Sequence, residues 1–256
     1  MSSLTFRNVG KTYQTRNGPL VVLQDINIDV RPNELVCIVG ASGCGKSTLL
    51  QCAAGLNQPT AGTIELDGEP ILGPSADRGM IFQSYTLFPW LTVEENVAFG
   101  LKLAGMPPED RSKIARMYLK IVGLENFAKA LPKTLSGGMQ QRVAIARGLA
   151  NQPAVLLMDE PFGALDAQTR MVMQEFLLDV WRSTRITILF VTHDVEEAVY
   201  LGERVYVLQS SPGRVREEIK PGFDPSRDYH IKRTPEFHAC VDGILDLLRS
   251  EAVAAL

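Results

Sequence analysis

The chain has 256 residues, of which 45% are hydrophobic and 21% are charged, and its 26 basic and 29 acidic residues give a net charge of −3. This composition is typical of a folded globular protein and excludes a disordered or collagen-like chain. The acidic balance disfavours nonspecific nucleic-acid binding, which needs a basic face, and no apolar run approaches the ~18 residues of a membrane span. The N-terminus lacks a signal-peptide pattern. Four cysteines without a CxxC pair indicate free thiols in a reducing compartment.

The first thirty residues predict an antiparallel β element. Residues 4–13 and 21–30 form two extended segments, and apolar and polar residues alternate in the second. Asn17-Gly18-Pro19 is a turn signal between them.

Continuous apolar runs in the rest of the chain predict an α/β fold with a parallel sheet core. These runs occur at residues 35–39, 154–158, 186–191 and 205–208. Such runs suit strands that are buried on both faces of a parallel sheet. Helical patterns at 46–55 and 167–183 lie between them, and alternating strands and helices favour right-handed crossovers.

The middle and the end of the chain differ from this pattern. Residues 91–150 are rich in helix formers and lack a buried-strand run, which predicts a helical insertion. Pro108 and the acids after it resemble a helix start. The tail, residues 216–256, begins polar and ends in a predicted amphipathic helix. The apolar face of that helix consists of Phe237, Val241, Ile244, Leu245 and Leu248.

The sequence GASGCGKS matches the phosphate-loop pattern G-x-x-x-x-G-K-[ST], and it follows an apolar strand and opens a helix. Glycines allow successive backbone N–H groups to form an anion nest, and the helix N-terminus adds positive potential. Lys46 supplies a charge for the β- and γ-phosphates, and Ser47 supplies a hydroxyl for Mg²⁺. The residues predicted to bind the nucleotide here are Gly40, Ala41, Ser42, Gly43, Cys44, Gly45, Lys46, Ser47 and Thr48.

Two acids follow the apolar run at 154–158, where open α/β sheets bind ligands. Asp159 suits the Mg²⁺ shell, either directly or through water. Glu160 suits the water that attacks the γ-phosphate, as polariser or general base. Taken alone, the pair could also be two solvated acids at a strand end.

A second helix start can also bind an anion. Ser136 is a good N-cap residue, and Gly137 and Gly138 leave the first N–H groups uncovered. An ordinary capped helix is the alternative interpretation of this segment.

The order of these motifs resembles that of the ATP-binding subunits of ABC transporters. GASGCGKS is similar to their Walker A motif, VLLMDE to Walker B and LSGGMQQR to the signature motif. Single residues also match: Gln83 the Q-loop glutamine, Asp166 the D-loop, His193 the switch histidine and Tyr13 the adenine-stacking aromatic residue. The resemblance covers residues 3–215. Met139 departs from it, because the commonest signature has Gln at this position.

The resemblance implies a P-loop ATPase with ATP and Mg²⁺ as ligands. Residues 1–90 and 151–215 would form the nucleotide-binding core, and 91–150 the signature subdomain. The implied catalytic residues are Glu160, His193, Lys46, Gln83 and Asp166, and the implied metal ligands are Ser47, Gln83 and Asp159. His193 would contact the γ-phosphate and orient the attacking water.

The resemblance also implies partners. Two copies would close head to tail on ATP, with the loop of one copy facing Ser136, Gly137 and Gly138 of the other. Two permease subunits would dock near Gln83–Leu91 at the cytoplasmic face of the membrane, and an extracytoplasmic solute-binding protein would act indirectly. No nucleic acid is expected as a partner.

Four further stretches are similar to the taurine, aliphatic sulfonate and nitrate importers, and most to the taurine importers: residues 73–79, 87–90, 161–170 and 211–215. They predict an importer of small anionic or zwitterionic solutes. None of them touches the solute, so another cargo such as a vitamin precursor, or export, stays open. A non-transport ABC ATPase is disfavoured because the chain has one ATPase unit, and a P-loop kinase or GTPase is disfavoured by the signature motif.

Overall fold

The computed structural model describes residues 2–84, 86–210 and 212–254, and it describes side-chain burial through residue 250. Tyr85 and Ser211, which belong to two of the stretches discussed above, lie outside the described residues. Within the described part the chain forms ten strands: β1 (Leu4–Thr15), β2 (Gly18–Val30), β3 (Leu35–Gly40), β4 (Ala61–Leu66), β5 (Glu69–Pro70), β6 (Arg78–Ile81), β7 (Val155–Asp159), β8 (Thr187–Thr192), β9 (Arg204–Gln209) and β10 (Arg214–Ile219).

The same residues form seven α-helices and three short 3-10 helices. The α-helices are α1 (Lys46–Ala53), α2 (Val93–Leu103), α3 (Pro108–Ile121), α4 (Gly137–Ala150), α5 (Ala167–Thr184), α6 (Val195–Leu201) and α7 (Pro235–Ala254). The 3-10 helices are Glu125–Phe127, Pro132–Thr134 and Tyr229–Arg233. No helix in the described ranges combines the length and the apolar character needed to cross a membrane.

A six-stranded sheet with the order β10-β9-β3-β8-β7-β6 forms the centre of the molecule. Its strands run parallel except for β10, which pairs antiparallel with β9. Every residue of β3, β7 and β8 is buried, as their continuous apolar sequences predict. The predicted α/β fold is therefore confirmed, and the parallel register brings the carboxyl ends of β3, β7 and β8 to one edge.

A second, four-stranded antiparallel sheet has the order β2-β1-β4-β5. The predicted pairing of the two N-terminal segments is confirmed, and Leu4, Phe6 and Ile28 pack with Ile38 of β3 in one apolar cluster. Strands β4 to β6 were not predicted. Each of them has at most one buried residue, so the apolar pattern that identifies a strand is absent there.

Residues 91–150 are helical, as predicted. Helix α2 begins with a capping box between Thr92 and Glu95, and α3 begins at Pro108 with two acids in its first turn. Helix α4 packs against both of these helices and leads back into β7. The C-terminal part of α4 lies against the sheet, since a Cβ atom at Gly148 would meet Ile81 of β6 and Leu156 of β7.

The tail begins with a strand that was not predicted, since β10 runs through the boundary between residues 215 and 216. The predicted amphipathic helix is confirmed as α7. Phe237, Val241 and Ile244 are buried against the core, and Leu245 and Leu248 are partly buried at its margin. The four cysteines are free thiols, as predicted.

Candidate functional site

The phosphate loop joins the end of β3 to the start of α1 at the carboxyl edge of the parallel sheet. Gly45 stands at the N-cap of α1 with φ +100°, a left-handed conformation that glycine adopts without a steric penalty. No side chain in the described structure caps this helix start, so its first N–H groups face the loop. A Cβ atom at Gly40 would lie 2.7 Å from the Leu208 carbonyl oxygen, which shows how closely the loop packs on β9.

Lys46 is the cation of this loop, and it is only 4% exposed. Its Nζ donates to the carbonyl oxygens of Gly40 (2.8 Å) and Ala41 (3.0 Å). The same amine lies 3.8 Å from Oε1 of Glu160. The backbone of the loop therefore fixes the position of the ammonium group beside the acid that follows β7.

Ser47 and Asp159 form the second contact between the loop and β7. Oγ of Ser47 donates to Oδ1 of Asp159 at 2.9 Å, although the residues are 112 positions apart. Asp159 is 8% exposed, and burial raises the pKa of its carboxyl group, while the bond from Ser47 opposes that shift. A buried carboxylate next to a hydroxyl is an oxygen-donor pair of the kind that hard cations prefer.

Glu160 and His193 meet although they follow different strands. The backbone of Glu160 has φ +42°, and its N–H donates to the Val191 carbonyl oxygen at 2.9 Å. Oε2 of Glu160 lies 2.7 Å from Nδ1 of His193, whose side chain is 55% exposed. The carboxylate of Glu160 thus has the imidazole of His193 at one oxygen and Lys46 at the other.

A cavity of about 340 Å³ opens in front of these groups. Its walls come from four parts of the chain, namely the phosphate loop with the start of α1, the segment after β6, the residue after β7 and the antiparallel sheet. The lining residues are Val22, Ser42, Gly43, Gly45, Lys46, Ser47, Thr48, Gln83 and Glu160. Val22 is the member that the sequence analysis did not assign, because an apolar residue in an alternating strand indicates packing and carries no sign of a ligand.

Tyr13 does not line this cavity. It lies on β1, half-buried, and its hydroxyl accepts a hydrogen bond from Nδ2 of Asn57 at 3.4 Å. The Lys11 ammonium lies 5.0 Å from the centroid of the Tyr13 ring.

The second anion-binding helix start lies apart from the phosphate loop. Oγ of Ser136 accepts from the backbone N–H of Met139 at 3.3 Å, so the cap does not depend on the Met139 side chain, which packs against the core. Ser136 and Gly138 line a cavity of about 320 Å³ that contains none of the loop residues. The structure therefore separates the two predicted phosphate-binding elements within one chain.

Asp166 is an exposed N-cap of α5 and not a cavity residue. Its carboxylate accepts from the Thr169 backbone at 3.0 Å and from the Thr169 hydroxyl at 2.7 Å, and these bonds lower its pKa. A Cβ atom at Gly138 would lie 2.7 Å from Cγ2 of Thr169. Thr169 therefore connects the signature helix start to the Asp166 turn, a role that its sequence position did not indicate.

Comparisons with known proteins identify the family to which the chain is similar. The family model described as ABC transporter matches residues 23–163. The nitrate import ATP-binding protein NrtD of Synechocystis sp. is 52% identical, over 98% of this chain and 99% of that protein. The taurine import ATP-binding protein TauB of Roseobacter denitrificans is 46% identical, over 97% of this chain and 94% of that protein.

A solved structure extends the similarity to the fold. It is the dimeric structure of a post-hydrolysis state of an ATP-binding cassette bound to ADP and Pi. The TM-score is 0.74 and the identity 36%, with 85% of this chain and 98% of that chain covered. With its phosphate loop, its strand-end acids and these relatives, the chain belongs to the ABC transporter family and is an ATP-hydrolysing subunit of that family.

Proposed function

We propose that this subunit uses ATP hydrolysis to energise an importer of small anionic or zwitterionic solutes, with nitrate, taurine and aliphatic sulfonates as the candidate cargoes. The observation that carries the ATPase part is the position of Glu160 between Lys46 and His193, next to the Ser47–Asp159 pair. The cargo class is supported by the nitrate and taurine import relatives.

The phosphate chain of ATP fits the loop cavity. The uncapped start of α1 and the loop from Gly40 to Thr48 supply backbone N–H donors, and Lys46 supplies the full positive charge. In the proposed complex the Lys46 ammonium exchanges loop carbonyl oxygens for β- and γ-phosphate oxygens. Tyr13 would stack on the adenine, and its place on the sheet that also carries Val22 is compatible with that role.

Mg²⁺ fits the donor atoms present. Ser47 and Asp159 offer a hydroxyl and a carboxylate 2.9 Å apart, and Gln83 lines the adjoining cavity wall. No group of three or more His, Cys, Asp or Glu side chains suited to a metal occurs in the described ranges. Mg²⁺ needs none, because it keeps waters and takes one or two carboxylates plus substrate phosphates. When bound, the ion would neutralise charge on the phosphate oxygens.

Glu160 is proposed as the polariser or general base for the attacking water. Lys46 and His193 fix one oxygen of its carboxylate each, which leaves the group oriented toward the cavity. His193 would hold that carboxylate and contact the γ-phosphate through its exposed imidazole. Gln83 would transmit the binding of nucleotide to the segment that follows it.

Two copies of the chain would complete the site. The loop and the signature helix start line separate cavities, so one chain does not bring both to the same nucleotide. A head-to-tail pair places Ser136, Gly137 and Gly138 of one copy over the ATP of the other, and Asp166 next to the shared boundary. ATP then favours the closed pair because it contacts both copies only in that state.

The segment Gln83–Leu91, of which Tyr85 lies outside the described residues, is proposed to receive a permease subunit at the cytoplasmic face of the membrane. Trp90 is 73% exposed, although the nearby Phe88 packs against Phe99 with ring centroids 4.3 Å apart and ring planes tilted by 43°. An exposed tryptophan on a fixed loop is a typical anchor of a protein interface. The solute-binding protein would act through the permease and make no contact with this chain.

Growth of a deletion strain tests the cargo. The strain is supplied with nitrate as sole nitrogen source, or with taurine or longer alkanesulfonates as sole sulfur source. We expect growth to fail on one of these classes, with rescue by the wild-type gene and no rescue by Lys46→Ala. Normal growth on all of them in a strain without a second related importer would overturn the proposed cargo class.

A further inference from the structure

Lys232 of the C-terminal tail is half-buried, and its side chain contacts α5 and α6, the helix that follows His193. It belongs to the 3-10 helix Tyr229–Arg233. Its Nζ donates to Oε1 of Gln174 on α5 at 3.0 Å. The same ammonium lies over the rings of Tyr229 (4.6 Å) and Tyr200 (4.8 Å). The Lys232 ammonium therefore contacts Tyr229 of the tail itself, and it joins the tail to the core through Tyr200 of α6 and Gln174 of α5.

Gln174 contacts Glu197 through the other end of its amide group. Both side chains are nearly inaccessible, with 2% and 3% exposure. Nε2 of Gln174 donates to Oε1 of Glu197 at 2.9 Å. An ammonium group can only donate, so Lys232 takes the amide oxygen and leaves the amide NH₂ facing the carboxylate. Without Lys232 the amide can turn its oxygen toward Glu197, which has no proton to offer when ionised.

Glu197 in turn holds both neighbours of His193. The Thr192 side chain lies near its carboxylate and opposes the rise in the pKa of Glu197 that burial causes, and the backbone N–H of Glu197 donates to Oδ1 of Asp194 at 3.1 Å. The backbone N–H of Asp194 donates to Oγ1 of Thr192 at 3.0 Å. The backbone on either side of His193 is thus fixed by the first turn of α6.

A branch of the same network reaches the Asp166 turn. Nη1 of Arg170 lies 3.3 Å from Oδ2 of Asp194, and its Nη2 donates to the Leu165 carbonyl oxygen at 3.1 Å. The residue that precedes Asp166 and the residue that follows His193 are therefore tied to one guanidinium group.

We propose that Lys232 is a positioning residue for ATP hydrolysis, through which the C-terminal tail fixes Gln174, Glu197 and the backbone around His193. This inference rests on the proposed role of His193. Lys232 touches neither the phosphate-loop cavity nor Glu160, so its loss should slow turnover without weakening ATP binding. Displacement of a catalytic group by a fraction of an ångström to 1 Å lowers rates strongly, and we expect about a tenfold lower kcat.

The test compares Lys232→Met with Lys232→Arg in the full-length purified chain. Steady-state ATPase measurements should show about a tenfold lower kcat for Lys232→Met, with the KM for ATP within about twofold of wild type. Lys232→Arg keeps a cation over the rings and a donor for Gln174, so it should recover most of the rate. Lys220→Met is the matched control, because that tail lysine is 65% exposed and pairs only weakly with Glu218 in the described structure.

A double-mutant cycle identifies the route. If Lys232 acts through His193, adding Lys232→Met to His193→Ala should lower the residual kcat no further. The inference would be overturned if the losses of kcat in Lys232→Met and His193→Ala multiplied in the double variant. It would also be overturned if folded Lys232→Met kept the wild-type kcat, or if Lys232→Arg lost as much kcat as Lys232→Met. A His193→Ala variant with normal kcat would instead overturn the proposed function of the site, so the two failures are distinguishable.

Discussion

Oε2 of Glu160 lies 2.7 Å from Nδ1 of His193, which joins the residue after β7 to the residue after β8 at the carboxyl edge of the sheet. The parallel pairing of Asp159 with Val191 brings the ends of β7 and β8 side by side, since Glu160 follows Asp159 directly and His193 follows Val191 by two positions. The imidazole holds one oxygen and Lys46 stands at the other. Two side chains of the protein therefore orient the carboxylate of the proposed base.

Glu160→Gln should abolish turnover and retain ATP binding. The amide keeps the size of the carboxylate but does not accept the proton of the attacking water, and loss of a general base lowers rates by about 10²–10⁴-fold. Single-turnover ATPase assays measure the rate, and equilibrium binding of ATP measures the affinity. Glu196→Gln, at an exposed acid on α6, is the control. Near-normal turnover in Glu160→Gln would remove Glu160 from the proposed mechanism.

Gly138→Ala should lower ATPase activity about tenfold while ATP binding to the loop cavity stays unchanged. The new Cβ atom would meet Cγ2 of Thr169 at 2.7 Å, so Thr169 must move and disturb its two bonds to Asp166. Steady-state kcat and nucleotide affinity are the measurements.

A second substitution separates two explanations of that loss. Thr169→Ser removes Cγ2 and keeps the hydroxyl, so Gly138→Ala combined with Thr169→Ser should regain activity. If the double variant stays as slow as Gly138→Ala, the contact with Thr169 is not the cause. Gly243→Ala serves as the control, since a Cβ atom at that helical position meets nothing within 4 Å.

Asp159→Asn should stabilise the nucleotide-free protein at neutral pH. Burial raises the pKa of Asp159 above its ordinary value of 3.8, so the folded chain binds this proton more tightly than the unfolded chain does. The resulting stability is present at low pH and is lost as the pH rises through the raised pKa. We expect Tm to be about 2–4 °C higher for Asp159→Asn at pH 7, roughly 1 kcal/mol for a domain of this size.

Thermal unfolding without nucleotide between about pH 3.5 and 8 measures this effect, and the advantage of Asp159→Asn should shrink toward the acidic end. The same variant should lose the extra stabilisation that wild type gains from ATP with Mg²⁺. A Tm below that of wild type at pH 7 would contradict the prediction. Asp242→Asn, at an exposed position of α7, is the control for the loss of one negative charge.

Trp90→Ala should weaken assembly with the permease and leave the isolated subunit intact. The indole is 73% exposed, so its removal opens no cavity in the core. We expect affinity for the permease to fall about 30-fold or more, as for a hot spot of about 2 kcal/mol. Co-purification with permease subunits measures assembly. Leu103→Ala, at a side chain that is 74% exposed, is the matched control, and equal losses in both variants would argue against an anchor at Trp90.

Sequence patterns predicted several residues of the site, but they did not predict which of these residues contact one another. Lys46, Asp159 and Glu160 could be predicted because glycine spacing and the ends of apolar strands leave a local signal. The pairing of Glu160 with His193 could not, since it depends on the register of β7 and β8. Gly138 and Thr169 meet through the packing of α4 on α5, which leaves no periodic trace in either segment.

Strands β4 to β6 and the contacts of Lys232 could not be predicted from the sequence, for different reasons. Strands β4 to β6 are short and mostly exposed or half-buried, so hydrophobic periodicity does not mark them. Lys232 stands in a polar tail, where a lysine ordinarily faces solvent. Only the fold shows that its ammonium is covered by two tyrosine rings and points at Gln174.

The loop that carries Trp90 is connected by hydrogen bonds to two helices. Asn96, which is fully buried, accepts from the Phe88 N–H and donates to the carbonyl oxygens of Phe88 and Leu91, so the loop is fastened to α2. Arg147 of α4 grips the same loop through the Thr86 carbonyl oxygen and hydroxyl. The loop, α2 and α4 are therefore joined by direct hydrogen bonds, so a displacement of the loop must either be shared by both helices or break these bonds.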